Sequence, residues 1–308
     1  MCDADEMELR HLEHFLAVAD TGSFTQAARN LHVVQSGVSA TIKVLEHELG
    51  SSLFVRTPQA VSLTAAGRAF LPRARETLSA ARAAKDAVHR TQGTLHGEVT
   101  VGTLTSIDVV DLAGLLGALR ERHPAVTVRL RAAAGGSADL AQQLRDGRID
   151  VAFLSLPDPL PTGLLARPLA YAPLRLYVPA GHPLAGAGRV LLAQLAEFPF
   201  VDSPRGFGNR VVVDRAFATA GVDREVTLEV ADIAMAVPLI RAGLGIGFLS
   251  RFLVVDDTGL DVLEVADHDL RWQLVVATAA RRRPSAPTEA FLDLLRELHP
   301  ASLELGQP

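Results

Sequence analysis

Between residues 9 and 49 the apolar positions recur at helical spacing in three successive runs. Leu9, Leu12, Phe15, Leu16 and Ala19 give a first helix one apolar face, and Gly22 ends it. Ser23 stands three residues before Gln26, a capping-box spacing that predicts a second helix reaching about residue 31. Ala27 and Ala28 are small enough for close helix approach. Val38, Ile42, Leu45 and Leu49 form the buried face of a third helix over 35–49, stopped by Gly50. Leu53 and Phe54 then read as the anchors of a hairpin that ends on the basic Arg56. Two short helices at a tight turn, followed by a hairpin, are the layout of an α+β winged helix-turn-helix. Its second helix enters the DNA major groove.

From residue 65 to 90 the pattern lengthens. Phe70, Ala74, Leu78, Ala81, Lys85 and Val88 fall near a 3.5-residue repeat, interrupted by the charge at Lys85. This predicts a long helix whose stripe pairs with a second copy or packs on its own domain, kinked near its start by Pro72. Residues 91–93 read as a hinge. Beyond Glu98 strands and helices alternate: strands 99–102, 126–132 and 150–155 around helices 107–122 and 138–146. A Pro-rich passage, 156–168, breaks the order. A second series follows, with strands 174–178, 200–202, 226–230 and 246–249 and helices 191–197, 209–220 and 232–242. Strands 262–265 and 272–278 and a helix over 287–298 complete it. Two such series imply parallel sheets covered by helices.

Composition narrows the class. The 308 residues suit two or three domains, and their 48% apolar content is enough for real cores. One cysteine, Cys2, excludes a disulfide framework and a thiolate metal cluster. No apolar run approaches the roughly 20 residues of a membrane span. The acidic start carries no secretory signal, so a cytoplasmic setting is expected, with translation from either Met1 or Met7. A net charge of −5 argues against coating nucleic acid through bulk charge, though not against a local contact face.

The candidate DNA contacts lie at the start of the third helix and around it. Gln35 can pair bidentately with adenine, Ser36 and Ser39 can bond base edges or phosphates, and Lys43 can reach guanine or phosphate. Thr25 and Gln26 open the preceding helix, and Arg56 and Gln59 lie in the wing beside the backbone. The alternative is that they are ordinary exposed polar residues of a helical domain, and the spacing favours DNA contact over it.

Twenty positions in register carry a specific likeness: Leu9, Phe15, Ser23, Phe24, Ala27, Ala28, Leu31, Gln35, Ser39, Ile42, Leu45, Glu46, Leu49, Gly50, Leu53, Phe54, Arg56, Leu63, Thr64 and Gly67. The segment resembles the DNA-binding domain of the LysR-type transcriptional regulators, and the likeness extends more loosely along most of the chain. It departs at Ser36-Gly37, where the family carries Pro-Ala, at Ala40 and Val44, and in a wing without a basic residue near Gln59. Each lost cation removes a phosphate contact, so binding should be less salt-sensitive than is usual for the family.

The resemblance implies a winged helix-turn-helix over 7–64 and a linker helix with hinge over 65–93. A two-lobed α/β domain like the periplasmic binding proteins follows over 94–302, with lobe I at 94–166 and 268–302 and lobe II at 167–267. The chain would cross between lobes near 166–170 and again near 265–269. The implied function is a ligand-responsive regulator that binds promoter DNA as a homo-oligomer, a dimer of dimers, with a small-molecule effector and RNA polymerase as further partners and no cofactor. The alternative is a cytoplasmic small-molecule-binding module whose helical head contacts proteins.

Open α/β sheets bind ligands beyond the carboxyl ends of their strands. That points to Thr103, Thr105 and Ser106, to Gly136 and Ser137, to Ser203, Arg205 and Phe207, and to Asp232. Hydroxyls and free N–H groups at helix starts suit a carboxylate or another small anion, with Arg205 as a counter-charge. Ser and Thr at such positions are also simple caps. Gly243, Gly245 and Gly247 sit between a helix and a strand, the reverse of the dinucleotide order. No Gly-x-Ser-x-Gly elbow, His-Glu-x-x-His helix or phosphate-loop lysine occurs, so no enzyme and no metal site is expected.

Overall fold

The computed structural model describes residues 7–57, 60–91, 95–104, 109–155, 161–250, 254, 256–300 and 303–304. They fall into two compact units, one reaching Thr91 and the other starting at Leu95.

The N-terminal unit comprises α1 (Leu9–Thr21), α2 (Phe24–Asn30), α3 (Gln35–Glu48), β1 (Phe54–Arg56), β2 (Val61–Leu63) and α4 (Ala65–Thr91). Ser23 caps α2 by accepting the Gln26 N–H at 3.3 Å. The Gln26 amide turns instead to Asn30, and the Ser23 N–H goes to Thr21 Oγ1, so only half of the expected capping box forms. The turn into α3 passes through His32 at φ 57°, a left-handed conformation that a side chain adopts at a cost. The Val33 N–H closes that turn on the Ala28 carbonyl at 3.0 Å.

The core is aromatic. Phe15 lies 5.3 Å from Phe54 and 5.0 Å from Phe70, and Phe24 lies 5.8 Å from Phe54. Glu46 fastens the wing to α3, its Oε1 accepting the Leu53 N–H at 2.7 Å and the Phe54 N–H at 3.2 Å. Thr64 starts α4 by accepting the Gly67 N–H at 2.9 Å. Gly67 admits no side chain, because a Cβ there would lie 2.2 Å from the Leu53 carbonyl oxygen.

The linker stripe divides. Ala74 and Leu78, with Phe70 and Leu71 beside them, pack into the core of this same unit. The first half of α4 therefore follows the second of the two expectations, a stripe covered by its own domain. In the far half Arg82, Ala83, Ala84, Lys85 and Val88 stand exposed, so there the stripe itself is left open. The helix runs on through Pro72.

The C-terminal unit runs β3 (Gly97–Thr103), α5 (Leu112–Arg122), β4 (Val126–Ala132), α6 (Gly136–Asp146), β5 (Val151–Ser155) and β6 (Leu164–Pro179). Then come β7 (Arg189–Val190), a 3-10 turn (Leu192–Leu195), β8 (Pro199–Asp202), α7 (Gly208–Ala220), β9 (Glu225–Glu229) and α8 (Ile233–Arg241). The chain ends with β10 (Gly247–Ser250), β11 (Leu260–Val265), β12 (Arg271–Ala279), α9 (Ala286–Leu298) and β13 (Leu303–Glu304). β3 lies parallel between β4 and β5, and β12 runs antiparallel between β5 and β6. β8 pairs in parallel with β9 and bridges to Ile246.

β6 belongs to both halves of the unit. It pairs with β12 as far as Pro173 and with β10 and β11 from Leu174 onward. The first crossing therefore lies at 173/174 rather than near 166–170, and residues 164–168, expected in a Pro-rich break, are strand. Pro168 pairs with Val275 next to the point where the register with β12 shifts, the kind of irregularity at which a strand accommodates proline. The return runs through 266–270, between β11 and β12. Two helices are shorter than their apolar patterns suggest. α5 begins at Leu112, where Asp111 accepts the Gly114 N–H at 2.8 Å, and the segment read as helix 191–197 is only a 3-10 turn.

Candidate nucleic-acid interface and effector cleft

The start of α3 forms an exposed edge. Gln35, Ser36 and Lys43 are exposed and Ser39 is half-buried, while Val38, Ile42 and Leu45 on the opposite face are buried in the core. Thr25 and Gln26 are exposed on α2. Rigid packing below and polar groups above are what base reading requires, since a groove contact depends on where the side chain is held.

Arg56 is exposed at the end of β1. Its guanidinium lies 4.2 Å over the Phe24 ring and donates to Ser39 Oγ at 3.1 Å, with Glu46 Oε2 at 3.8 Å. It thus links the wing to the third helix. Gln59 lies outside the described residues.

On α1, His11 and His14 are buried. The His11 Nδ1 accepts the Glu8 N–H at 3.3 Å. Burial holds the His14 imidazole below its ordinary value, and the Arg10 charge adds to the effect. Among the described residues no His, Cys, Asp and Glu cluster is arranged to hold a metal ion.

In the C-terminal unit the expected residues come from several segments, of which the start of α6 meets the end of β5 and the loop before α7. Thr103 ends β3 and is buried. Thr105 and Ser106 lie outside the described residues. Ser137 is sealed from solvent, and its Oγ accepts the Ser155 N–H at 2.8 Å, joining α6 to the end of β5. Gly136 adopts φ 65° with the Phe207 ring against its Cα, where a Cβ would come within 2.8 Å of the ring. The Ala138 N–H reaches the Gly206 carbonyl at 3.1 Å, so the start of α6 meets the loop before α7 directly.

Ser203 is buried, its N–H on Asp202 and its carbonyl held by Arg210 Nη1 at 3.0 Å. Behind it Arg224 reaches Asp202 and Asp214, both at 2.6 Å, and stacks over Phe200 and Phe217. Arg205 is exposed, and Asp232 is an exposed cap whose side chain accepts the Ala234 N–H.

One residue escaped the sequence reading. Asn209 is 5% exposed, and among the described residues neither its Oδ1 nor its Nδ2 has a hydrogen-bond partner. The Ser155 Oγ is likewise buried and without a partner among them. The two segments touch: a Cβ on Gly208 would fall 2.1 Å from Ser155 Oγ. The available signal was spacing, for Asn209, Val213 and Ala216 form the inward stripe of α7, with Asn209 its polar member. A separate surface cavity of about 340 Å³ lies between residues 173–175 and 265–270 and holds none of the candidates.

Comparison with known proteins gives the same division. The family model for the bacterial regulatory helix-turn-helix protein, lysR family, matches residues 9–68, and that for the LysR substrate binding domain matches 92–300. The HTH-type transcriptional regulator ShiR of Corynebacterium glutamicum (strain R) is 36% identical over 248 residues, covering 80% of this chain and 83% of its own. BudR of Raoultella terrigena, also an HTH-type transcriptional regulator, is 31% identical over 80% of this chain and 85% of its own. Among solved structures, CbnR, a LysR family transcriptional regulator, matches with a TM-score of 0.56 and 26% identity, covering 95% of this chain and 99% of that one. CbnR has also been solved in complex with its target DNA. A full-length OxyR variant from Pseudomonas aeruginosa shares the fold, with a TM-score of 0.70 at 24% identity over 98% of this chain and 99% of that one. The chain belongs to the LysR family of ligand-responsive, DNA-binding transcriptional regulators.

Proposed function

We propose that this regulator reads promoter DNA through Gln35, Ser36, Ser39 and Lys43, with Thr25, Gln26 and Gln59 at the flanks. Arg56 acts by orienting Ser39. The observation that carries the reading is the polar edge of α3 standing over a packed apolar face. Gln35→Ala and Ser39→Ala should relax sequence discrimination in a gel-shift competition, whereas Lys43→Ala should weaken all duplexes alike and flatten the salt dependence. Unchanged discrimination in the first two variants refutes the reading.

The effector cleft lies around the meeting of Gly136 with Phe207, lined by Thr103, Ser203 and Arg205, with Thr105 and Ser106 as further effector contacts. Asn209 and Ser155 offer the unfilled hydrogen bonds, and Ser137 and Asp232 hold the local backbone. The effector is a small organic anion, drawn by Arg205. Its binding changes the meeting of Phe207 with the start of α6, and it must favour one quaternary arrangement over another to act. The chain works in the cytoplasm as a dimer of dimers joined through the exposed half of α4, and RNA polymerase is a further partner. A thermal-shift screen of small organic acids tests the ligand class, since a ligand selective for the folded state raises the melting temperature. No stabilising acid, or equal stabilisation of an Asn209→Ala variant, refutes the assignment.

A further inference from the structure

At 70% exposure Val34 is the most exposed large apolar side chain among the described residues, and it stands at the reading edge. It is the N-cap of α3, at φ −76° and ψ 145°, and makes no side-chain cap. Serine, threonine, aspartate or asparagine would satisfy a free N–H there, and valine cannot. Packing does not account for it either. Gly37 leaves the isopropyl group uncovered, for a Cβ at Gly37 would lie 3.7 Å from Val34 Cγ2. Neighbouring Val33 is 44% exposed as well. Neither helix capping nor core burial calls for a branched apolar residue at this position, so the explanation lies with what meets it from outside.

We propose that Val34 is a specificity-determining residue whose isopropyl group contacts the C5-methyl of a thymine in the major groove. The thymine methyl is the apolar group that a base pair displays on that side, and it separates T·A from the other pairs. The N-terminal residues of a recognition helix are the ones that reach base edges. Val34 precedes Gln35 and Ser36 and shares their exposure, so an apolar contact adjoins the polar ones. The inference rests on the docking of α3 proposed above. Desolvating one methyl is worth about fourfold in affinity, hence about fifteenfold for two half-sites.

The test uses the full-length chain and duplexes selected by it from a random library. Each thymine is then replaced by deoxyuridine, which removes only the methyl. The wild-type chain is expected to lose about fourfold at one thymine position in each half-site. Val34→Ser should bind the thymine and uracil duplexes equally while melting at a higher temperature, because serine supplies the missing cap. Val34→Thr, which keeps one methyl, should fall between them. A merely structural role for Val34 would alter melting and leave the thymine-to-uracil ratio as it is in the wild type. Wild-type indifference to every uracil replacement overturns the proposal, as does a Val34→Ser chain that keeps the wild-type ratio. Gln35→Ala on the same duplexes separates the causes. If it alters discrimination while uracil does not, only the Val34 contact falls; if neither matters, the docking falls with it.

Discussion

In the N-terminal unit Gln35, Ser36 and Lys43 stand in solvent on one helix, whereas in the C-terminal unit Thr103, Ser137, Ser203 and Asn209 come from distant segments and are all buried. The first arrangement is a finished edge. Its side chains need no partner within the chain, and the groove supplies one. The second is a set of polar groups enclosed by protein, some already used within the chain and some left over. Ser137 has its bond to Ser155, while Asn209 has none. On the proposed function, the edge of the reader is complete without its ligand, while Asn209 of the sensor keeps polar atoms without a partner among the described residues.

The comparison is broken most severely at Glu46. Its carboxylate serves two backbone donors of the wing, so Glu46→Ala should cost about 3 kcal/mol and lower the first thermal unfolding transition. The C-terminal unit should melt as before, and a loss shared equally by both transitions would contradict the separate cores. Next in size is Gln35→Ala, expected to remove about 2 kcal/mol of discrimination between operator and mutant duplexes without moving either melting transition.

Asn209→Ala sharpens the contrast from the other side. Removing a buried amide without partners should leave the free chain as stable as before, or about 1 kcal/mol more stable, and abolish the effector's thermal shift. A destabilised chain with an intact shift would show that Asn209 is structural. His32→Gly should stabilise the reader by about 1 kcal/mol in a denaturant titration, because glycine takes the left-handed turn without strain.

The smallest effect is one of pH. Burial and the Arg10 charge hold the His14 imidazole low, so the folded unit resists a proton that the unfolded chain accepts. Stability of the reader should be full above about pH 6.5, decline as pH falls below it, and level off once the lowered folded value is passed. His14→Phe should flatten that decline in melts between pH 7.5 and roughly pH 5. An unchanged slope would assign the decline to other groups.

Local chemistry made the reader legible in advance. The caps at Ser23 and Thr64, the stops at Gly22 and Gly50 and the buried stripe Val38, Ile42 and Leu45 all act over a few residues, which is the range that spacing reports. What escaped was the destination of side chains that act across segments. Arg56 crosses to Ser39, a bond that spacing did not announce, and Phe70, Ala74 and Leu78 serve the domain core. A stripe of apolar residues says that a face will be covered and not by what.

The order of helices and strands, the polar edge of α3 and membership of the family follow from the chain's own residues, because each depends on short-range periodicity or on residues in register. The crossing at 173/174, the sealing of Ser137 and the unfilled Asn209 were decided only by the assembled sheet. β6 continues through Pro168 because β12 shifts its register there, and Asn209 is buried because Ser155, more than fifty residues earlier, lies against the start of its helix. Contacts between segments far apart in sequence have no period to read, so their outcome appears only when the strands have found their neighbours.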